Sequence, residues 1–371
     1  MFSVQIDTAR SWRGGQNQVL LTMMGLRQLG HHVVLVAHPD GELRQRAAEG
    51  GEIVALAPKA EVDFSAAWKL SRILRRLAPD VVHAHDPHAV AVASLALSLG
   101  SPDPPPALVA ARRVDFHLKG NSFSRWKYRQ VDCFVCASAA IRQMLLADGV
   151  EEARAVTVHE GVDVERIART PVVDVRAELW LPHDAPVVGN IAALVPHKGQ
   201  RHLIDAAAIV VREIPDARFV ILGDGELRHD LEHQVRTLGL DRRVLLPGFR
   251  ADAVGLLGGF DLFVMSSVTE GLGTSVLDAM AARRPVVATT AGGIPEVVVD
   301  GETGLLVPPR DHTAMAGAIV SLLRDPDQRL RMGEAGFQRV FTRFSADRMV
   351  RETAAVYEAV LAARRGRPPA P

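Results

Sequence analysis

Cysteine is nearly absent. The 371-residue chain has two, Cys133 and Cys136. That excludes a small scaffold stapled by disulfides. Both lie in an apolar run, Asp132–Ala137, that reads as a strand. Residues three apart in a strand face opposite sides of its sheet. The pair is therefore expected as core thiols in a reducing cytoplasm, and not as a disulfide or redox couple. An excess of one charge is missing too: 43 Lys and Arg balance 43 Asp and Glu. This argues against a nucleic-acid binder, which carries a basic surplus. The most apolar long run, Ala89–Gly100, is too short to span a bilayer. The first residues lack the charged start and apolar stretch of a secretion signal. A cytoplasmic location is expected. No short-period repeat is present, which excludes a solenoid.

What is present is ordinary for a globular protein: 48% hydrophobic and 23% charged residues. The length predicts two domains, each able to bury its own core. In the first half, a strand at Ser3–Asp7 leads to Gly14-Gly15. A helical pattern follows with Val19, Met23, Leu26 and Leu29 on one face. His32–Ala37 is a second strand, which completes a βαβ unit. Further strands are expected at Val81, Leu108–Ala111, Val131–Ala137 and Val156–His159, with a helix over Ser65–Leu77 and another capped by Ser138. Charge, Thr170-Pro171 and Leu181-Pro182 break the pattern, so a boundary is expected near residue 168. In the second half, strands begin at Val187, Arg218, Val244, Asp261 and Pro285, each followed by a glycine-rich or polar loop. Residues 169–345 then form the second domain. A helix from Ala346 to Leu361 carries Met349, Thr353, Val356 and Val360 on one stripe. The last seven residues are expected to be disordered.

Glu270–Pro285, EGLGTSVLDAMAARRP, is the most informative stretch. It follows an apolar strand. Gly271 and Gly273 open a turn, and a helix is expected to start near Ser275. A helix start preceded by glycines suits an anion, because backbone N–H groups and the helix dipole point at it. Glu270 at the turn and Asp278 one turn into the helix are pure acceptors when ionised, suited to hydroxyl groups. Phosphate plus hydroxyls describes a nucleotide sugar. Ser275-Val-Leu-Asp278 also fits a capping box, in which Asp278 only satisfies a backbone N–H.

Glu270, seven residues, the acidic Asp278, then Ala-Met-Ala and Arg-Pro-Val-Val-Ala resemble the retaining glycosyltransferases of family 4. The resemblance implies an α/β protein of GT-B architecture, with two Rossmann-like doubly wound domains facing across a cleft. The final helix, 346–364, would pack back on the first domain. It implies a nucleotide diphosphate-sugar as co-substrate and neither metal nor cofactor. The usual second acid is Glu where Asp278 stands here. Val195-Pro196-His197-Lys198-Gly199 resembles the family's phosphate clamp. Lys198 matches, but Ala193 stands where an arginine is usual, which removes a bidentate phosphate contact. Arg250, Arg112 and Arg113 are candidates to compensate. The donor site implied is Gly15, Lys198, Gly223, Phe249, Arg250, Glu270, Gly271, Leu272, Gly273, Thr274, Ser275 and Asp278. Phe249 and Arg250 would wall the base, although Phe249 also reads as core.

Val82-His83-Ala84-His85-Asp86-Pro87-His88 places three histidines at a strand end. A metal site would need more ligands, and none are evident. A substrate-facing role for His85, Asp86 or His88 competes with local hydrogen bonding at the strand end. Many family members carry a histidine after the Leu108–Ala111 strand. Here Arg112-Arg113 and Asp115 occupy it, so Asp115 or His117 is the candidate to replace it, and His85 is a further catalytic candidate beside Glu270. Gly14, His88, Arg112 and Arg113 are assigned to the acceptor. From Arg112 to Arg129 there are six Arg or Lys with Phe116, Phe123, Trp126 and Tyr128 interleaved. That run suits an anionic membrane or lipid-linked acceptor. It equally suits a solvated interdomain face.

The function expected is transfer of a hexosyl-type sugar to an acceptor hydroxyl, with retention, in envelope polysaccharide, lipopolysaccharide or glycolipid synthesis. The acceptor would be a sugar, a glycolipid or a lipid-linked molecule. Rival readings are a sugar-nucleotide epimerase, a catalytically weak nucleotide-sugar-binding or scaffold protein, and a synthase acting on a soluble sugar phosphate.

Overall fold

The computed structural model describes residues 1–118 and 120–366. Of the tail expected to be disordered, 367–371 lie outside the described residues, while Arg365 closes the final helix. The chain divides into two units. One is Met1–Gly161 together with the segment from Ala346, and the other is Val162–Ser345. The Val164–Arg169 helix, most of which the sequence places on the first-domain side, belongs to the second unit.

The first unit holds a seven-stranded sheet. Its strands are β1 (Phe2–Asp7), β2 (His32–Ala37), β3 (Ile53–Ala55), β4 (Val81–Ala84), β5 (Ala107–Arg112), β6 (Cys133–Cys136) and β7 (Ala155–Thr157). They are ordered β3-β2-β1-β4-β5-β6-β7, with every pairing parallel. Helices cover both faces, so the strands are apolar on both sides. Val109 and Cys133 lie in one core layer, and Leu108, Phe134 and Cys136 in the other. The two thiols are thus buried, free and on opposite faces. β1 departs from the apolar rule. Its alternate residues Ser3, Gln5 and Asp7 are buried and polar. The final helix, Ala346–Arg365, brings Tyr357 onto that face and packs on the Gly14–Gln28 helix. A Cβ on Gly25 would lie 2.5 Å from Val350, so this glycine permits the close approach. Leu29, expected on the buried stripe of that helix, is exposed, because the helix ends at Gln28.

The second unit holds a six-stranded sheet. Its strands are β8 (Val187–Ile191), β9 (Arg218–Leu222), β10 (Val244–Gly248), β11 (Leu262–Met265), β12 (Val286–Thr289) and β13 (Leu305–Val307). The order is β10-β9-β8-β11-β12-β13, again parallel. Two long helices, His312–Arg324 and Pro326–Arg343, had no counterpart in the sequence reading. Gly189 lies against the ring of Phe260, where a Cβ would sit 1.9 Å from the ring.

Strand order locates the sites. In each sheet the chain winds outward one way, returns to the middle, and winds outward the other way. Between the two starting strands the crossovers diverge, and the strands' carboxyl ends open a crevice. The crevice lies between β1 and β4 in the first unit and between β8 and β11 in the second.

Candidate functional site

The second unit's crevice is lined by the loops after β8 and β11. Pro196–Lys198 forms one turn of 3₁₀ helix, and Gly199 follows with φ +65°. A Cβ on Gly199 would sit 2.2 Å from the Ser266 carbonyl oxygen. Only glycine lets the two loops meet so closely. Ser266 Oγ donates to the Lys198 carbonyl at 2.9 Å, and the Val268 N–H donates to the His197 carbonyl at 2.8 Å. Lys198 is thereby aimed at Glu270, with Nζ 2.6 Å from Oε2 and the side chains 19% and 10% exposed. Ser267 Oγ donates to the same carboxylate oxygen at 2.9 Å. Gly292, φ +52°, lies under Glu270, where a Cβ would come 1.7 Å from the Glu270 carbonyl oxygen.

The Thr274–Ala281 helix starts beside this pair. Its N-cap is Gly273 at φ +95°, with no side-chain cap. The capping-box alternative for Asp278 therefore fails, since the helix begins one residue early and Asp278 makes no cap. Among the described residues Asp278 has no hydrogen-bond or ion-pair partner. Burial raises its carboxyl to about 6, with Arg166 pulling weakly the other way. The residue keeps part of its surface open, so a ligand can reach it. Thr274 and Ser275 are part-exposed at the helix start. Leu272 is buried in the core, so only its backbone can serve a ligand.

The loop after β9 is tied to the same crevice. Gly223, φ +138°, sits against Ala192, and the Leu194 N–H donates to the Asp224 carbonyl at 3.0 Å. Phe249 is exposed, which removes its core reading. Arg250 is committed elsewhere: its guanidinium meets Glu178 at 2.7 Å and Asp252 at 2.6 Å. Those two carboxylates raise its pKa further. It is not a free substitute for the arginine missing at Ala193.

The first unit's crevice is lined by a hydrogen-bonded chain of side chains. The Thr8 N–H donates to Asp86 at 2.7 Å, and Asp86 also caps the Pro87–Leu99 helix through the Ala89 N–H. Gln16 Nε2 donates to Asp7 at 3.0 Å. Burial and the neighbouring Asp86 raise the Asp7 carboxyl to about 6. Gly14 and Gly15 form the first residues of the Gly14–Gln28 helix, and Gly15 faces Arg113. Arg113 Nη1 lies 3.0 Å from His85 Nδ1, and Nε lies 3.1 Å from Glu160. An arginine only donates, so His85 Nδ1 accepts and its Nε2–H donates to Gln5 Oε1 at 2.8 Å. His83 Nδ1 pairs with Tyr357 Oη at 2.6 Å, and its ring lies 4.1 Å from that of His85. Burial holds both histidines neutral, far below the usual imidazole range.

Several sequence assignments change here. Both ring nitrogens of His85 are used, so it positions Arg113 and has no ring nitrogen left for a substrate proton. His88 is exposed on the first helical turn, outside the bonded chain. Arg112 and Arg113 separate, because β5 ends at Arg112 and Arg113 begins the loop that follows. Arg112 is buried, with Nη2 donating to the Phe116 carbonyl. Asp115 is half-buried and makes no hydrogen bond or ion pair among the described residues, although its charge acts on Arg112. The basic run does not make one cationic face either. Lys127 is buried against Glu61 at 2.5 Å, and Arg125 binds the Gly120 carbonyl at 2.5 Å. Gln5, Asp7, Glu160 and Tyr357 were missed. Polar residues at every second position of β1 were the one available signal. Among the described residues no group of three or more His, Cys, Asp or Glu is placed to hold a metal, and no helix is long and apolar enough to cross a membrane.

A family model described as glycosyl transferases group 1 matches residues 174–339, and one described as glycosyltransferase family 4 matches residues 12–166. The lipopolysaccharide core biosynthesis glycosyltransferase LpsE of Rhizobium meliloti is 32% identical over 280 residues, 75% of this chain and 76% of that protein. A GDP-mannose-dependent phosphatidylinositol monomannoside mannosyltransferase of Mycolicibacterium smegmatis is 37% identical over 195 residues, 47% of this chain and 49% of that protein. The structure of Anabaena HepE in complex with UDP and glucose superposes with a TM-score of 0.85 at 21% identity, covering 97% of this chain and all of the other.

Proposed function

The chain belongs to glycosyltransferase family 4 and has the GT-B fold, and from that premise we propose that it transfers a hexosyl-type sugar from a nucleotide diphosphate-sugar to an acceptor hydroxyl, with retention and without a metal, in envelope polysaccharide, lipopolysaccharide or glycolipid synthesis. The observation that carries the reading is the Lys198–Glu270 pair beside the uncapped Thr274–Ala281 helix start. A cation and open N–H groups suit a diphosphate. A carboxylate next to them suits sugar hydroxyls. Asp278, part-open and unpartnered, suits the ribose hydroxyls.

The bond from the anomeric carbon to the diphosphate oxygen breaks, and a bond to the acceptor oxygen forms on the same face. The acceptor's proton passes to the departing diphosphate oxygen. Negative charge grows on that oxygen, and the helix start, with Lys198 once the diphosphate has drawn it from Glu270, stabilises it. The relatives named for lipopolysaccharide and phosphatidylinositol mannoside synthesis support the pathway class.

The test is calorimetric titration with uridine, guanosine and adenosine diphosphate sugars, with chelator present, on wild type and Lys198→Ala. One donor is expected to bind, and Lys198→Ala to abolish it. Proton NMR of the product's anomeric centre then reads retention or inversion. Binding of no donor favours a scaffold protein, a reading that Ala193 and the committed Arg250 already motivate.

A further inference from the structure

We propose that Ser267 is a positioning residue of the second unit's crevice, whose hydroxyl holds Glu270 when Lys198 leaves that carboxylate for a diphosphate. This role rests on the reading of Lys198 as the diphosphate's partner, and it adds the step by which the lysine becomes free. In the ligand-free protein Glu270 Oε2 receives two side-chain donors, Lys198 Nζ at 2.6 Å and Ser267 Oγ at 2.9 Å. Oε1 receives the Gly271 N–H at 3.3 Å. The Glu270 side chain is only 10% exposed, so water poorly replaces a donor lost from it.

Three buried hydroxyls stand at the carboxyl ends of β11 and β12: Ser266, Ser267 and Thr289. Ser266 Oγ donates to the Lys198 carbonyl at 2.9 Å, and Thr289 Oγ1 donates to the Ser267 carbonyl at 2.6 Å. Both serve the backbone and fix the loops. Ser267 differs from them, because its single proton goes to a carboxylate side chain. Its backbone is pinned on every side. Thr289 holds its carbonyl, and its neighbours Ser266 and Val268 are bonded to the Lys198 loop.

The two donors on Oε2 differ in what can move. Lys198 Nζ ends a flexible four-carbon stem and can swing to a phosphate. A serine hydroxyl on a pinned backbone stays where it is. When the ammonium leaves, Oε2 keeps Ser267 and the carboxylate keeps its orientation. Oε1, with its one long contact, is then the oxygen open to a sugar hydroxyl. Without Ser267 the same departure strips Oε2 of both side-chain donors. A buried carboxylate oxygen left so resists the loss of its lysine, because a hydrogen bond to a charged group is worth about tenfold in an equilibrium constant. Ser267 therefore eases the release of Lys198.

The test is calorimetric titration of uridine, guanosine and adenosine diphosphates, with chelator present, into wild type, Lys198→Ala, Ser267→Ala, Glu270→Gln and the Ser267→Ala/Glu270→Gln double variant. The diphosphate that wild type binds is expected to bind Ser267→Ala about tenfold more weakly. In the Glu270→Gln background the same serine substitution is expected to change affinity by less than about twofold, because no charge is left for the hydroxyl to hold. A hydroxyl needed only for the loop's shape would weaken binding equally in both backgrounds. Thr289→Val loosens Ser267 without removing it and is expected to weaken binding only where Glu270 is intact. Thr289→Ser keeps the donor and is expected to bind like wild type. The proposal alone is overturned if Lys198→Ala abolishes binding while Ser267→Ala binds like wild type, or if the serine or threonine loss persists undiminished beside Glu270→Gln. If wild type binds none of the three diphosphates, or Lys198→Ala binds like wild type, the reading of the crevice fails and the role of Ser267 falls with it.

Discussion

Glu270→Gln should tighten binding of a bare nucleotide and leave that of a nucleotide sugar about unchanged. In the ligand-free protein the Lys198 ammonium lies 2.6 Å from the Glu270 carboxylate. A diphosphate arriving at Lys198 must draw it from that carboxylate, and must sit close to the same negative charge. A charge-assisted hydrogen bond between groups this buried is worth about 1.5 kcal/mol net, once desolvation is counted. That corresponds to about tenfold in affinity. Glu270→Gln keeps the shape, removes the charge and releases Lys198. The bare nucleoside diphosphate should therefore bind about tenfold tighter. The nucleotide sugar loses a carboxylate acceptor for its hydroxyls, so its advantage over the bare nucleotide should shrink by a similar factor. Titration calorimetry of the preferred donor and its nucleoside diphosphate, on wild type and variant, measures both. Weaker or unchanged binding of the bare diphosphate would refute the reasoning, because Lys198 would then not be the phosphate's partner.

Asp278→Asn tests the unpartnered carboxyl. Its proton is held more tightly in the folded chain, at about 6 against 3.8, so the residue costs stability as pH rises through that interval. The variant should be more stable than wild type by up to about 3 kcal/mol near neutrality and equal to it below about pH 3.5. It should also lose any rise of donor affinity through pH 6. Thermal unfolding and calorimetry across pH read both. His85→Ala removes the acceptor of Arg113 Nη1 and leaves Gln5 Oε1 with only the 3.5 Å contact from Tyr357 Oη, and should cost about 2 kcal/mol in urea unfolding; an unchanged midpoint contradicts the network. His83 and His85 stay neutral when folded but take protons when unfolded, so wild-type stability should fall as pH drops below about 6.5. Gly292→Ala pushes a Cβ into the Glu270 carbonyl and should cost about 2 kcal/mol or more along with donor affinity. Gly301→Ala also has a positive φ, +76°, but open space around it, and should leave donor affinity intact. Equal donor affinities for the two glycine variants would count against the loop contact.

The second unit's crevice was legible in the chain because its signals are local. A strand, two glycines and a helix start adjoin in sequence, so Glu270, Gly271, Gly273 and Asp278 are placed by one turn of backbone. Lys198 lies 72 residues from Glu270. Their meeting depends on β8 and β11 pairing side by side, which no local pattern encodes. The first unit's crevice was less legible for the same reason. Tyr357 reaches His83 across 274 residues and Glu160 reaches Arg113 from the loop after β7. The separation of Arg112 from Arg113 has a different cause: β5 runs one residue beyond the expected Leu108–Ala111 strand, so Arg112 is carried into the sheet and only Arg113 stands in the loop.

The sequence by itself determined the two-domain α/β class, the alternation of strand and helix, and the glycines that permit positive φ and close loop contacts. These follow from local sterics and from the period of apolar residues. Only the tertiary structure decided which charges are free. Arg250, Lys127 and Arg112 look alike in the chain as solvated cations. The fold ties the first to two carboxylates and buries the others. A charge's availability depends on what lies within a few ångströms in space, and the chain's order along its length does not contain that distance.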